Sequence, residues 1–324
     1  MRGSIEGAHG PNNLPMLSSP VAFAQALGGF SVPPPDPALP GLVGDSCLHE
    51  NLPAHEYHAD RDALSCSLLK PLLISPAHFQ AGLVAASRSS RAMDFGTLVH
   101  LLFLQPRAAA QDLAVYPGVA DRSSAFADFE AAHCDRLVVD EPTFARGRRV
   151  AEKLASTKYK GRPLQRFMEE SVTEATIYFT EPVTRLRMRV RIDSYHPEIT
   201  FDLKSTRHAS MRAFARDAVD MDYDLQAYMY SLARCMYEGR TTAPPFVFIA
   251  AESSAPHSVS TLEAGENFMG NGALKFKACA AAFKACTDTG LWPDLGTDSV
   301  LELEPWQQFS ASSGWQTGLA TAPW

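Results

Sequence analysis

The sequence predicts an α/β (α+β) protein in which a central mixed β-sheet, carrying a β-meander, is flanked by helices. Three observations predict it. Hydrophobic spacing turns from helical to alternating after residue 168. Three alternating runs, 174–180, 186–195 and 199–203, then follow in succession, with Pro197-Glu198 as the turn between the last two. Helical spacing returns from residue 211. With 324 residues, 46% of them hydrophobic, the chain can bury one sizeable core, so one domain with elaborations is expected and fibrous or disordered classes are excluded.

Taken in order, residues 1–55 are rich in Pro and Gly, include Pro33-Pro34-Pro35 and show no sustained period, so they read as an irregular N-terminal arm. Within it, Met1-Arg2-Gly3-Ser4 followed by Ile5-Glu6-Gly7 reads either as an expression leader or as native sequence. The main domain is expected over 56–290. Residues 65–79 suggest a capped helix interrupted by prolines, and 94–104 is an apolar run long enough for a buried helix. Residues 122–168 read as helices with polar faces. After the meander, 211–219 and 224–237 are helical, the latter with Leu225, Met229, Leu232 and Met236 as an apolar stripe. A strand at 245–251 and an Ala/Lys helix at 273–286 follow. The tail, 291–324, carries Trp292, Trp306, Trp315 and Trp324, which suit either a subunit contact or a tail folded back on its own core.

Composition narrows the function. Twenty-nine Lys and Arg against 36 Asp and Glu leave a net charge of −7, which argues against a polyanion partner. That charge is segregated: 146–166 holds eight basic residues against Glu152 alone, a net of +7, 185–216 is +5, and the rest carries −19. Six scattered cysteines with no C-x-x-C pair fit a reducing cytoplasm and argue against structural zinc. No apolar run reaches the roughly 18 residues of a membrane span, so no membrane partner is expected.

The chemistry concentrates in the meander. Alternation in Phe201-Asp202-Leu203-Lys204 sends Asp202 and Lys204 to one face. This D-x-K pattern reads either as a solvated strand face with a surface ion pair or as a carboxylate that holds a divalent metal beside a lysine over the attacking water. In the preceding strand the period of two aligns Arg185, Arg187, Arg189 and Arg191 with Asp193 on one face. Four like charges in a row repel, so an anion such as a phosphate backbone is expected in their groove. One short turn separates Asp193 from Asp202, near enough to share a metal. On helices, Gly96 and His100 are i and i+4, as are Gln226 and Tyr230.

The ordered set Gly96-x-x-x-His100, a strand ending in Asp193, Asp202-x-Lys204 and Gln226-x-x-x-Tyr230 resembles the PD-(D/E)XK nuclease superfamily. It is most similar to the RecB-like branch and to the phage recombination exonucleases related to lambda exonuclease and exodeoxyribonuclease VIII. Tyr57-His58-Ala59-Asp60 through Leu64-Ser65-Cys66-Ser67, and Ser75-Pro76-Ala77-His78-Phe79, also resemble the exodeoxyribonuclease VIII type. The likeness covers roughly residues 55 to 250 and implies a restriction-endonuclease-like core. RecB-like chains often carry a Gly shortly before the motif Asp, where this one has Arg189-Val190-Arg191.

In that setting His100, Asp193, Asp202 and the Leu203 backbone carbonyl form an oxygen and nitrogen shell suited to one or two Mg²⁺ or Mn²⁺ ions. Lys204 would orient the water or stabilise transition-state charge, Gln226 and Tyr230 would hold the water or the strand, and Glu174 is an accessory carboxylate candidate. The resemblance implies a 5′ to 3′ exonuclease on double-stranded DNA that leaves 3′ tails for a single-strand annealing protein in recombination. It also implies a homo-trimeric ring, or a tetramer, and a 5′-phosphate pocket matched here by Arg61 and Ser67; Ser67 reads equally well as a helix N-cap. Arg187, Arg189 and Arg191 are expected to bind the DNA backbone. Two further readings stay open: a structure-specific or restriction-like endonuclease, and a non-catalytic DNA-binding module.

Overall fold

The computed structural model describes residues 46–84, 90–120 and 124–296. The chain opens with β1 (Cys47–His49) and α1 (Ala54–Ala59). Next come α2 (Cys66–Leu69), a 3-10 turn (Lys70–Leu73), α3 (Pro76–Val84), α4 (Arg91–Leu104) and α5 (Pro106–Asp112). β2 (Leu113–Tyr116), α6 (Ser124–Ala132), β3 (Leu137–Asp140), α7 (Glu141–Ser156), β4 (Lys158–Tyr159), β5 (Arg162–Pro163) and α8 (Leu164–Glu169) lead to the meander β6 (Val172–Thr180), β7 (Arg187–His196) and β8 (Ile199–Thr206). The chain then runs through α9 (Met211–Asp220), α10 (Tyr223–Glu238), β9 (Phe246–Glu252), β10 (Val259–Glu263) and α11 (Glu266–Thr289).

The main sheet has the order β1-β6-β7-β8-β9-β10. Every neighbouring pair is antiparallel except β8 and β9, which are parallel because α9 and α10 cross over between them. The expected mixed sheet with a meander is therefore the fold. Strands unread in the sequence fill out the rest. β1 falls inside the segment expected to be irregular, yet pairs with Thr176 to Tyr178. β3, β4 and β5 interrupt the stretch expected to be all helical; β3 pairs in parallel with β2. These runs of two to four residues are too short to show a period.

Apolar side chains bury both faces. Ile177, Phe179, Met188, Val190 and Ile192 pack with Leu225, Met229 and Phe276 under α10 and α11. Phe201, Leu203, Val247 and Ile249 pack with Leu98, Val150 and Leu154 under α4 and α7. Each fully buried Leu, Ile, Val or Phe contributes roughly 1.5–3 kcal/mol relative to an exposed one. Two glycines set the helix spacing by having no Cβ. At Gly147 a Cβ would lie 2.6 Å from a Leu98 methyl, so α7 rests directly on α4. At Gly272 it would lie 2.0 Å from the Asp224 backbone oxygen, so α11 crosses α10 in backbone contact.

The β7·β8 ladder holds only three residue pairs, ending at Ser194 opposite Phe201. Beyond it the strands part, and the chain at Ala63 and Leu64 takes the place of β8 beside β7: Leu64 N–H donates to Arg187 O and Arg189 N–H to Leu64 O. This fork aims the start of α2 into the sheet. Its N-cap is Ser65, whose hydroxyl accepts from Leu68 N–H, and not Ser67 as the sequence also allowed. At the other end, Trp292 stacks on Phe79 and meets Phe283 edge on, so the tail folds back on the core where it begins. Trp306, Trp315, Trp324 and residues 1–45 lie outside the described residues.

Candidate active site

Asp193 and Asp202 stand at the mouth of the fork. Ile192 and Tyr195 both pack on the α10 side though three residues apart, so alternation slips at Asp193. Opposite it, the unpaired Glu174 has a left-handed φ of 55°, a conformation costing a non-glycine residue of order 1–2 kcal/mol. The slip takes Asp193 out of the ladder, and its Oδ2 accepts from Leu203 N–H (2.7 Å) across the gap. A strand residue sends its N–H and C=O toward the same neighbour, so the Leu203 carbonyl faces the fork as well.

His100 closes the site from α4. Its Nδ1 bonds Gly96 O (3.0 Å), which directs Nε2 to Asp193 Oδ2, also at 3.0 Å. Gly96 serves a second purpose, since a Cβ there would lie 3.3 Å from Ser205 Oγ on β8. Burial disfavours the charged imidazole, but the Asp193 carboxylate outweighs it and raises the His100 pKa to about 9. Asp193 is held below the usual carboxylate range in return: burial works to raise it, and His100 and Lys204 prevail.

Asp202 is fully buried. Gln226 Nε2 donates to its Oδ1 at 2.7 Å, and Lys204 Nζ lies 2.6 Å from its Oδ2. The Lys204 ammonium is thus the ion-pair partner of Oδ2, which takes no hydrogen bond from any other described group. Burial first, and the neighbouring Asp193 charge second, push Asp202 up to about 6 against the pull of Lys204. Lys204 is held charged: Asp202 and Asp193 outweigh the cost of its burial. Its ammonium also sits 4.8 Å from the centre of the Tyr223 ring. Gln226 therefore orients Asp202 instead of reaching out to a water, while Tyr230 lines the adjoining pocket.

Two hollows reach these residues and share no lining residue. A pocket of about 260 Å³ is lined by Tyr57, Ser67, Lys70, Glu174, Asp193 and Tyr230, among others; an open cleft of about 840 Å³ begins at Lys204 and Ser205 and runs between α4, α7 and α9. Glu174 is ion-paired with Arg191 (2.6 Å), and burial followed by the Asp193 charge raises its pKa. Arg61 is exposed and does not line the pocket. Tyr57 opens the Tyr57-His58-Ala59-Asp60 phrase but the sequence assigns it no place at the site, and Lys70 and Tyr223 went unread. Tyr223 left a signal, one helical turn before Gln226.

The arginine groove needs correction. Arg189 is 2% exposed, donates to Ala63 O, lies 3.7 Å from Asp60 and stacks on Tyr57. Arg191 donates to Glu174 and to Leu52 O. Protein acids and carbonyls from 52–63 supply the counter-charge that phosphate was expected to provide, and Arg187 remains exposed. The cationic segment 146–166 is similarly offset: Arg162 pairs with Glu170, Lys160 with Glu263 and Arg166 with Glu169. Charge counted along the sequence overstates the free positive face.

The donor set suits a divalent cation. Asp193, Asp202, His100 and the Leu203 carbonyl present only oxygen and nitrogen, and Asp202 Oδ2 meets only the Lys204 ammonium among the described residues. Among the described residues no three acidic, His or Cys side chains already form a metal cage. Asp193 is bonded to His100 and Leu203 N–H, and binding would have to exchange the His100 proton for the ion.

A family model described as a PDDEXK-like domain of unknown function matches residues 65–299. No curated protein matches the chain. Among solved structures, a crystal structure at 2.19 Å resolution of a protein from Eubacterium rectale assigned as an exonuclease superposes with a TM-score of 0.52. The two are 13% identical, and the match covers 78% of this chain and 96% of that one. At that identity the likeness speaks for the fold.

Proposed function

The chain belongs to the PDDEXK-like domain family, and on that premise we propose that it is a metal-dependent nuclease, a 5′ to 3′ exonuclease on double-stranded DNA. One observation carries the reading: Asp193, Asp202, Lys204 and His100 converge where β7 and β8 part, two carboxylates each paired with a cation. Asp193, Asp202, the Leu203 carbonyl and His100 would hold one or two Mg²⁺ or Mn²⁺ ions. Such an ion polarises the phosphoryl group and makes bound water a better nucleophile. Lys204, fixed between Asp202 and the Tyr223 ring, stabilises charge gathering on the phosphate. Gln226 keeps Asp202 oriented, and Glu174 with Arg191 forms the wall beside Asp193.

The small pocket supports cutting at an end. At about 260 Å³ it is below the usual size of a ligand pocket, roughly 300–1,000 Å³, so it suits a terminal group better than a continuing duplex. Ser67 and Lys70 are its candidate contacts for a 5′ phosphate; Arg61 is a candidate from outside its lining. Production of 3′ tails for an annealing protein, and a trimeric or tetrameric ring, belong to the same proposal.

The test is linear duplex DNA, with and without a 5′ phosphate and labelled at one end, incubated with Mg²⁺, with Mn²⁺ or with chelator. Nucleotide release from the 5′ end, lost in Asp202→Ala and Lys204→Met, is expected. Cutting of covalently closed circles would replace the exonuclease by an endonuclease. Full activity in a clean Asp202→Ala protein would overturn the site.

A further inference from the structure

The larger cleft holds a cation that the catalytic arrangement leaves unused. Arg146, on α7, lays its guanidinium on the Phe95 ring at 4.4 Å, and its Nε is buried with no hydrogen-bond partner among the described residues. Buried donors in folded proteins are nearly always satisfied, and leaving one unmade costs about 1–3 kcal/mol. Asp140 feels the Arg146 charge, yet neither of its oxygens makes a hydrogen bond to the Nε. Asp140 caps α7, with its two oxygens accepting from Thr143 N–H and Ala120 N–H. Stacking fixes the guanidinium plane while its N–H edge stays in that plane, a geometry that matches phosphate oxygens.

The placement is built into the packing. Gly147, the next residue, lets α7 touch Leu98 of α4, and this brings Arg146 over Phe95, the residue before Gly96. Arg146 and Lys204 line the same cleft of about 840 Å³, and neither lines the small pocket. A strand whose end fills the small pocket and whose scissile phosphate lies at Lys204 has this cleft open to it beyond Lys204. The cleft also presents carboxylates, Asp94, Glu130, Asp140, Asp217 and Asp220. A phosphate backbone there is repelled except where a cation receives it; besides Lys204 the lining offers the exposed Arg207 and Arg146, and Arg146 is the one held against a ring.

We propose that the cleft between α4, α7 and α9 takes the nucleic-acid strand beyond the scissile bond, with Arg146 binding one of its backbone phosphates. The inference rests on the nuclease reading of the same site. To test it, binding of a short fluorescein-labelled duplex is followed by anisotropy across a range of salt, in an Asp202→Asn background so that DNA is not consumed. Loss of one phosphate contact lowers the slope of log K against log salt by about one. Arg146→Met is expected to weaken binding several-fold and to lose about one unit of slope. Arg146→Lys should keep the slope while binding more weakly. Arg148→Met, two residues on and paired with Glu152, is the charge-matched control and should keep the slope. An Arg146→Met slope equal to that of Arg148→Met overturns the inference, as does an Arg146→Lys slope as low as that of Arg146→Met. If the unsubstituted chain neither binds nor cuts DNA, the nuclease reading fails and takes the inference with it. If it does both while Arg146→Met keeps its slope, the inference fails alone.

Discussion

Gly96→Ala separates the stability of α4 from its position. In a helix interior Ala is favoured over Gly by about 0.8–1.0 kcal/mol, so the change improves the helix in isolation. The new methyl, however, meets Ser205 Oγ at 3.3 Å, close enough that α4 or the serine must give by a few tenths of an ångström. Overpacking usually costs about 1–3 kcal/mol, and a single tight contact belongs at the low end, so the net stability change should stay within about 1 kcal/mol. The site feels the shift more. Gly96 O anchors His100 Nδ1, and His100 Nε2 meets Asp193 at 3.0 Å, so moving one end of this chain moves the other. With about 1 Å of misplacement costing ~10²-fold in rate, a few tenths should cost about two- to fivefold. Urea denaturation gives the stability, and release of labelled nucleotide at saturating metal gives the rate. The decisive arm is Ser205→Ala, which removes the obstructing oxygen: Gly96→Ala in that background should run at the rate of Ser205→Ala alone. An equal loss in both backgrounds, or no loss in either, would refute the clearance argument.

Lys204→Met leaves Asp202 buried with the Gln226 amide as its donor. Nuclease rate should fall at least ~10²-fold, and breaking the buried pair should cost about 3–5 kcal/mol in urea at pH 8, less at pH 5 where Asp202 takes up a proton. Without metal, Asp202 titrates near pH 6 and His100 near pH 9, both above their ordinary values. For each, the stability it contributes is complete at low pH and is lost as pH rises, through about 4–6 for Asp202 and 6.5–9 for His100. Metal-free protein should therefore melt progressively lower from pH 5 to pH 9, with a shallower fall between pH 7 and pH 9 in His100→Gln; a flat melting profile would contradict this. Gly272→Ala should destabilise more than Gly147→Ala in the same denaturation assay. Its methyl meets a backbone oxygen at 2.0 Å, whereas the Gly147 methyl meets a leucine side chain that can turn. Equal costs would show that both helix crossings yield alike.

Local periods made much of this molecule readable in its sequence. Alternation marked β6, β7 and β8 within two or three residues of their ends, and spacing of i and i+4 put His100 above Gly96 and Tyr230 beside Gln226. Those rules concern residues near in sequence, where backbone geometry alone decides the neighbours. The same rule misled at Asp193, because the slip opposite Glu174 depends on how three strands part. It misled again along the arginine stripe, whose counter-ions come from Asp60, Glu174 and the carbonyls of Leu52 and Ala63.

By itself, then, the sequence determined the mixed sheet, the order of the chemical groups and the helical or strand setting of each, since these follow from local spacing. Only the tertiary structure decided that the meander opens into a fork, that Asp202 is buried between Gln226 and Lys204, and that Arg189 and Arg191 serve the fold. It also left Arg146, one basic residue among eight in its segment, with a buried Nε that no described residue satisfies. Burial and charge compensation depend on what distant segments bring to the same place, and that is set by packing.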